Sequence, residues 1–302
     1  MNKKQSLISA KLPKGEEKDW STMNKKQSLI SVIMATYYGD DSEELKEAVE
    51  SILKQSYTNF ELILSVDGPV PEERKLFLQE IEKSDRRIKI LWNEVNRGPG
   101  AARNSAIKVA NGDYIAIFDA DDVAYPDKLE NQLNYLLQMS LDIVGSTYTE
   151  FGTDINKPME TRTVPINQFE IKKKIGYFSP VANPTVIAKR FVFKENLYYE
   201  SFRVGEDYAL WIVLLKKGVK IGNYPYPTIY YRRGDSFLDR RRGLKYAKTD
   251  FLNKMAAASL YPFYEKPKIW FLAFASFIVR LLPAKLFNCV RNLRHRNKNK
   301  RL

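Results

Sequence analysis

Asp113-Tyr114-Ile115-Ala116-Ile117-Phe118 runs directly into Asp119-Ala120-Asp121-Asp122. The first part is apolar, β-branched and aromatic, and Asn111-Gly112 bounds it on the other side, so it reads as a buried strand. Three carboxylates within four residues at the end of a buried strand repel one another and are poorly solvated. A cation resolves that conflict, and hard oxygen ligands suit Mg²⁺ or Mn²⁺. In open α/β sheets ligands sit at the C-terminal ends of strands, where these acids fall. The alternative is a solvated acidic turn leading into the helix that starts near Tyr125-Pro126-Asp127.

The neighbouring segments repeat the pattern of strand followed by helix. Ser31 to Thr36 reads as a central strand. Asp41-Ser42-Glu43-Glu44 is a helix start, with a carboxylate three residues after the cap. Leu45, Ala48, Val49, Ile52 and Leu53 then recur on one helical face. Phe60 to Val66 is a second strand, stopped by Asp67-Gly68-Pro69. Glu72 to Lys83 predicts a helix, Ile88 to Leu91 a short strand, Ala101 to Ala110 a helix, and Pro126 to Met139 a helix with Leu129, Leu133, Leu136 and Leu137 as its apolar stripe. This alternation implies a mostly parallel sheet with helices on both faces. The second half is less regular. Asp142 to Tyr148 predicts a strand, residues 150–200 are mixed, Asp207 to Lys217 predicts a helix, and Val219 to Tyr231 reads as short β segments between prolines.

Several strand ends should converge on one crevice: Thr36-Tyr37, Asp67-Gly68, Gly98 to Asn104, and Asp119 to Asp122. With Ser31-Val32-Ile33-Met34-Ala35-Thr36-Tyr37, Asn96-Arg97-Gly98-Pro99-Gly100-Ala101-Ala102-Arg103-Asn104 and Gly205-Glu206-Asp207-Tyr208, in that order and spacing, the chain over about residues 29 to 245 resembles the family 2 glycosyltransferases with the GT-A fold. Specifically it looks like the small bacterial enzymes that build capsular or exopolysaccharide. The resemblance implies a Rossmann-like, mixed but mostly parallel sheet flanked by helices. Domain limits follow: an extension at 1–27, a catalytic domain at 28–250 (nucleotide-binding half 28–125, acceptor half 126–250), and amphipathic helices with a basic tail at 251–302.

By that resemblance Tyr37, beside Thr36, would stack on the uracil of a UDP-sugar, and Asp67 would accept a hydrogen bond from the base. An ordinary Asp-Gly turn is the other reading of Asp67, and a core aromatic the other reading of Tyr37. Relatives often carry two acids at this site, where Val66 stands here. Gly98 would open a helix beneath the nucleotide, with Arg103 and Asn104 supporting the ribose or the acids, a purely structural helix-start role being the other reading of the pair. Pro99 and Arg103 make the glycine segment a poor dinucleotide fingerprint. Asp119 and Ala120 would face the nucleotide. Asp121 would face the nucleotide through Mn²⁺ or Mg²⁺, with Asp119, which points toward the ribose, as a further ligand, and Asp122 either a second ligand or a residue just outside the ligands. Many relatives add a histidine to this metal; the one histidine here, His295, lies in the basic tail. Asp207 would be the general base and Glu206 its orienting partner, the alternative being a helix start favoured by carboxylates. Asn183 and Pro184 would wall the acceptor, Trp211 would flank the sugar or lie in the core, and Arg232, Arg233 and Arg240 would meet phosphate or form a solvated loop.

Bulk properties narrow the class. The chain has 302 residues, a net charge of +13 and one cysteine, Cys289, so no internal disulfide forms and a reducing compartment fits. From Arg280 onward there are eight Lys or Arg and no acid. The charge excess therefore belongs mainly to a tail, which argues against a nucleic-acid partner. Ile269 to Val279 is apolar for 11 residues, short of the ~20 needed to span a bilayer. It is expected to lie in an anionic membrane surface, or else to pack on the domain. Met1 to Ser9 recurs letter for letter as Met23 to Ser31; Met23 is the favoured natural start, and residues 1–27 are expected to be loosely ordered. The functional expectation is an inverting, UDP-sugar-dependent transferase acting on a lipid-linked saccharide, cytoplasmic and peripheral on the inner membrane face. Its rivals are a sugar nucleotidyltransferase and a non-catalytic basic membrane-binding protein. The first of these needs a basic glycine-rich loop after the first strand, where this chain carries the acidic Gly39-Asp40-Asp41.

Overall fold

The computed structural model describes residues 28–194, 197, 204–234, 241–284 and 286–287. The expectations for residues 1–27, Arg240, Cys289 and the tail with His295 lie outside these. The first half follows the strand–helix alternation: β1 (Ile30–Thr36), α1 (Ser42–Leu53), β2 (Phe60–Asp67), α2 (Glu72–Ser84), β3 (Ile88–Asn93), α3 (Pro99–Val109) and β4 (Tyr114–Asp119). Asp41 caps α1, its carboxylate accepting from the backbone N–H groups of Glu43 and Glu44 at 2.8 and 3.1 Å. The predicted apolar face of that helix, Leu45, Ala48, Val49 and Ile52, is buried.

β1 lies between β2 and β4, and all three are parallel. Successive side chains on a strand point to opposite faces, so the sheet carries two cores. Ile33, Ile63, Ile115 and Ile117 face one of them, and Val32, Met34, Leu62, Leu64, Ala116 and Phe118 face the other. A sheet covered on both faces needs near-continuous apolar strands, which is what the sequence shows. Register then aligns the C-terminal ends. Thr36 pairs with Val66, Ala35 with Asp119, and Asp67 with Asn93. One edge of the sheet therefore collects Thr36, Asp67 and Asp119.

The second half comprises β5 (Val123–Ala124), α4 (Lys128–Gln138), β6 (Ile143–Phe151), β7 (Pro158–Arg162), α5 (Gln168–Lys174), a 3-10 turn at Asn183–Thr185, β8 (Ile187–Lys189), α6 (Arg190–Lys194), α7 (Glu206–Lys216), β9 (Ile221–Arg232), α8 (Leu244–Ala257) and α9 (Lys266–Leu281). The strand order among the described residues is β3-β2-β1-β4-β8-β6-β9-β5, with β7 on β6. β8 is antiparallel to β4 and β6, β6 and β9 are parallel, and β5 is antiparallel to β9. Only residues 120–122 separate β4 from β5, yet β5 lies four places along the sheet from β4. Three residues reach ~10 Å, so the sheet curls until its far edge meets the end of β4. The acidic turn is the point of closure.

The reading of Val219–Tyr231 as short segments is corrected. β9 is one strand, and Pro225 lies where its register against β6 slips, between the Ser146–Tyr224 and Thr147–Pro227 pairs. A proline that cannot donate to the ladder is accommodated at such a bulge. α8 runs across residue 250, the expected domain limit.

Candidate active site

Two cavities open at the aligned strand ends. The first, of about 390 Å³, is bounded by the end of β1, Asp67, the start of α3 and the acidic turn. Tyr37 lines it and is 41% exposed. Gly39 leaves space for that ring, since a Cβ there would fall 2.6 Å from it. The loop after β1 is held by two residues that sequence reasoning did not single out. The Asp40 carboxylate accepts from Thr36 Oγ1 at 2.9 Å and from the Tyr37 N–H at 3.0 Å. Arg74, buried on α2, donates to the Tyr37 and Asp40 carbonyls. Burial pushes the Asp40 carboxyl above its usual range, against the pull of these hydrogen bonds and of Arg74. A lone arginine on an amphipathic helix carries no local signal of such a contact.

Asp67 is more than a turn residue. Its two carboxylate oxygens accept from the Arg97 and Gly98 N–H groups at 2.9 and 2.7 Å, fixing the loop that opens α3. Gly68 has φ +87°, and a Cβ there would lie 2.8 Å from the Asn96 nitrogen, so the turn requires glycine. Gly98, at φ +98°, begins α3, which presents Arg103 and the buried Asn104. Arg103 donates to Asp119 Oδ1 at 2.7 Å and to Glu206 Oε1 at 2.8 Å, joining α3, the end of β4 and the start of α7.

The carboxylate oxygens of Asp119, Asp121 and Asp122 lie within 4.8 Å of one another. Asp122 is fully buried. Its Oδ1 accepts from the Arg232 N–H at 2.8 Å, while Oδ2 is buried with no hydrogen-bond partner. Burial first, and then the charges of Asp121 and Asp119, raise its carboxyl well above the usual range. A hard divalent cation would relieve both the repulsion and the orphaned oxygen, so the donor set fits Mn²⁺ or Mg²⁺. Beneath it Lys128 is wholly buried, donating to Gln132 Oε1 at 2.7 Å and to the Thr185 carbonyl at 3.2 Å, and burial pulls its ammonium down to about 7.

The second cavity, of about 720 Å³, shares Arg103, Asp119 and Asp121 with the first. Glu206 and Asp207, in the first turn of α7 behind Gly205 (φ +70°), line it, as do Asn183 and Pro184. Glu206 is tied up with Arg103. The Asp207 carboxyl is pushed up to about 7, by burial first and the Glu206 charge second, opposed by its hydrogen bond from the Tyr208 N–H and by Arg103. A carboxylate with a pKa near neutrality can accept a proton from a hydroxyl during reaction.

Three residues are placed differently from the acceptor and phosphate roles. Trp211 is fully buried in the core and does not reach the cavity. Arg232 borders the second cavity, yet it donates from Nε to the Asp121 carbonyl at 2.8 Å, pairs with Glu47 and Glu44, and covers the Phe151 ring. It clamps the acidic turn to α1. Arg233 donates to Glu150 at 3.0 Å. The far wall is formed by α8 and α9, whose part in the site was not legible. Asp250 accepts from Lys254 and Ser276 at 2.5 and 2.7 Å and from Arg280 at 3.1 Å, knitting the two helices. The i,i+4 spacing of Asp250 with Lys254 and of Ser276 with Arg280 was the available signal.

Two adjoining cavities that share paired acids form a candidate two-substrate active site. Residues 31–197 match the model of glycosyl transferase family 2. An uncharacterized glycosyltransferase of Methanocaldococcus jannaschii is 31% identical over 246 residues, 80% of this chain and 79% of that one. The UDP-Glc:α-D-GlcNAc-diphosphoundecaprenol β-1,3-glucosyltransferase WfgD of Escherichia coli is 30% identical over 190 residues, 62% of this chain and 70% of that one. Among solved structures, the mannosyltransferase PcManGT of Pyrobaculum calidifontis, in complex with GDP-Man and Mn²⁺, superposes with a TM-score of 0.61 at 15% identity, over 92% of this chain and 84% of that one. TarS 1-349 of S. aureus, in complex with UDP-GlcNAc, gives 0.58 at 20% identity, over 85% and 82%. The chain belongs to glycosyl transferase family 2, and its architecture is the expected GT-A type.

Proposed function

We propose that this chain transfers a sugar from a UDP-sugar, with inversion, onto a lipid-linked saccharide used in surface-polysaccharide synthesis. The observation that carries this is the meeting of the two cavities at Arg103, Asp119 and Asp121, with Asp207 on the acceptor side. The names of two similar proteins support the donor, one a UDP-Glc transferase and one a UDP-GlcNAc complex, and WfgD supports a lipid diphosphate acceptor. In this reading Tyr37 stacks on the base, and Asp67 holds the Gly98 loop while offering its remaining lone pairs to a ring N–H. Asp119, Asp121 and Asp122 hold the cation. When bound, Mn²⁺ or Mg²⁺ supplies positive charge against that which develops on the departing diphosphate. Asp207 takes the proton from the acceptor hydroxyl as it attacks the face opposite the leaving group, which inverts the anomeric centre. Arg103 keeps Asp119 and Glu206 at fixed separation.

Attachment to the membrane belongs to the same reading. α9 buries Ile269 and Ala273 and leaves Trp270, Phe271, Phe274, Ile278 and Leu281 exposed, Phe271 at 70% and Phe274 at 60%. Spacings of three and four residues put most of these on one face. No helix among the described residues is long and apolar enough to cross a membrane. We take α9 to lie in the surface of the inner leaflet, with the basic tail on anionic lipid.

The test is calorimetry of UDP with Mn²⁺, followed by a screen of UDP- and GDP-sugars for nucleotide release. UDP should bind only with the metal, and Asp121→Ala should abolish that binding with the melting curve unchanged. Metal-independent UDP binding, or release of GDP alone, overturns the donor assignment.

A further inference from the structure

The charges lining the second cavity balance, six cations against six carboxylates among the described residues, so a neutral ligand suits it. Aromatic side chains line it too, and all but one are engaged. Tyr148 packs on Tyr231 with ring centroids 5.2 Å apart, Lys268 lies over the Tyr177 ring, and Arg280 lies over that of Tyr246. Tyr208 is buried, its hydroxyl donating to the Ile175 carbonyl. Phe178 has no such contact among the described residues and is 42% exposed where it lines the cavity. Its backbone is pinned on both sides. The Phe178 N–H donates to the Lys174 carbonyl at 3.2 Å, at the end of α5, and the Gly176 N–H donates to the Tyr261 hydroxyl at 2.9 Å. Beyond it the Ser179 hydroxyl donates to the Val181 carbonyl at 3.1 Å, and the Asn223 amide donates to the Pro180 carbonyl at 3.1 Å. A pinned backbone that presents one uncovered ring is a preorganised contact. It is also tied to the proposed base: Tyr208, which holds the Ile175 carbonyl, follows Asp207 directly, and Phe178 is three residues from Ile175, a reach of ~10 Å.

We infer that Phe178 is the platform on which a sugar ring of the acceptor stacks. This rests on the glycosyl-transfer reading above and adds which side chain holds the acceptor's ring. The C–H bonds on one face of a pyranose carry slight positive charge, and the face of an aromatic ring is negative. The two fit together while the sugar's hydroxyls meet the polar walls of the cavity. The platform expected of Trp211 is thus supplied by another element, since Trp211 is buried in the core. A lipid chain is the rival occupant, and it has a surface of its own. Trp270, Phe271, Phe274, Ile278 and Leu281 of α9 are exposed and none of them lines the cavity, which leaves Phe178 to the saccharide.

The probes are the methyl glycosides of glucose, galactose, mannose and N-acetylglucosamine, offered to the full chain with and without UDP and Mn²⁺. Binding is read by saturation-transfer NMR, and farnesol is the lipid comparison. The ring protons of at least one glycoside should take up saturation from the wild-type protein. F178A and F178L should weaken that glycoside about tenfold, the scale of one aromatic contact, and F178W should retain it. F178L and F178W keep an apolar side chain in place, so the test stays decisive if F178A does not fold. All three should keep the wild-type affinity for UDP, because Phe178 is not among the residues of the donor cavity. No saturation of any glycoside by wild-type protein, or equal binding by F178A, overturns the platform. Binding kept in F178L, or lost in F178W, makes the residue a packing contact and overturns it as well. Loss of farnesol binding in F178A, with the glycosides unaffected, gives the residue to the lipid chain, and loss of UDP affinity in a folded F178L gives it to the donor; either overturns the platform. If UDP fails to bind while a glycoside still depends on Phe178, the donor reading falls and the platform stands.

Discussion

Replacing Arg103 with methionine should reveal how much of the active site is held together by one side chain. The guanidinium donates to Asp119 and Glu206 at 2.7 and 2.8 Å, and the Arg103 and Glu206 side chains are each only 9% exposed. Breaking a buried pair by removing one partner costs about 3–5 kcal/mol, because the surviving charge stays desolvated. Asp119 is more open, at 26%, so solvent recovers part of its share and the lower end, ~3 kcal/mol, applies. At 2–4 °C per kcal/mol for a domain of this size, Tm should fall by ~6–12 °C. The loss should depend on pH. Without Arg103, one of the influences that lower the Asp207 pKa is gone, and Glu206 loses its partner. The Asp207 carboxyl, already pushed up to about 7, then rises further above the unfolded carboxylate range. Between the two ranges the folded state binds more protons than the unfolded state, so stability falls as pH rises. The difference from wild type should be larger at pH 8 than at pH 5, measured by thermal melting without nucleotide. Adding Glu206→Gln should restore ~1 kcal/mol or more, since it removes the stranded charge. Equal losses at both pH values, with no rescue by Glu206→Gln, would refute the view that Arg103 neutralises these acids.

Two further outcomes test the chemistry and the surface. With its carboxyl pushed up to about 7, Asp207 as the proposed base would act deprotonated, so kcat/KM for nucleotide release in the presence of acceptor should rise about tenfold per pH unit below 7 and level off above it. Asp207→Asn should keep donor binding, lower turnover ~10²-fold or more and lose that pH dependence; a mutant with near-normal turnover reduces Asp207 to a helix-start residue. F271S/F274S should fold normally but cosediment less with anionic vesicles, and wild-type binding should weaken in high salt. Equal cosedimentation of the two proteins places the membrane contact elsewhere.

The parallel half was legible because its signals are local. β1, β2 and β4 are continuous apolar runs, their helices carry caps and stripes, and the structure moves their limits by a residue or two. The acidic turn was legible for the opposite reason, as a cluster too costly to leave unexplained. What failed to show were roles created by distant contacts. Arg232 looked like a phosphate ligand in an Arg-Arg pair, but β5 and β9 bring it onto the acidic turn, where it serves as a clamp. Trp211 follows the acid pair closely enough to suggest a sugar platform; the helix rotates it into the core. Arg74 and Asp40 act across 34 positions in sequence, donor to carbonyl, and no periodicity encodes that.

Closure of the curled sheet at residues 120–122 has a consequence for how the enzyme can be taken apart. The three aspartates proposed to hold the cation lie on the seam between the two halves, stitched from one side by β4 and from the other by Arg232 at the end of β9. A fragment ending near residue 125 would keep all three aspartates and lose the strand that orders them. If the aspartates hold a cation as proposed, ion binding and joining of the halves become one equilibrium: a cation that binds only the closed seam stabilises closure by RT ln(1 + [L]/Kd), and opening of β5 from β9 would release it. Sites made by a single half can be grafted or recombined. This one is inherited whole.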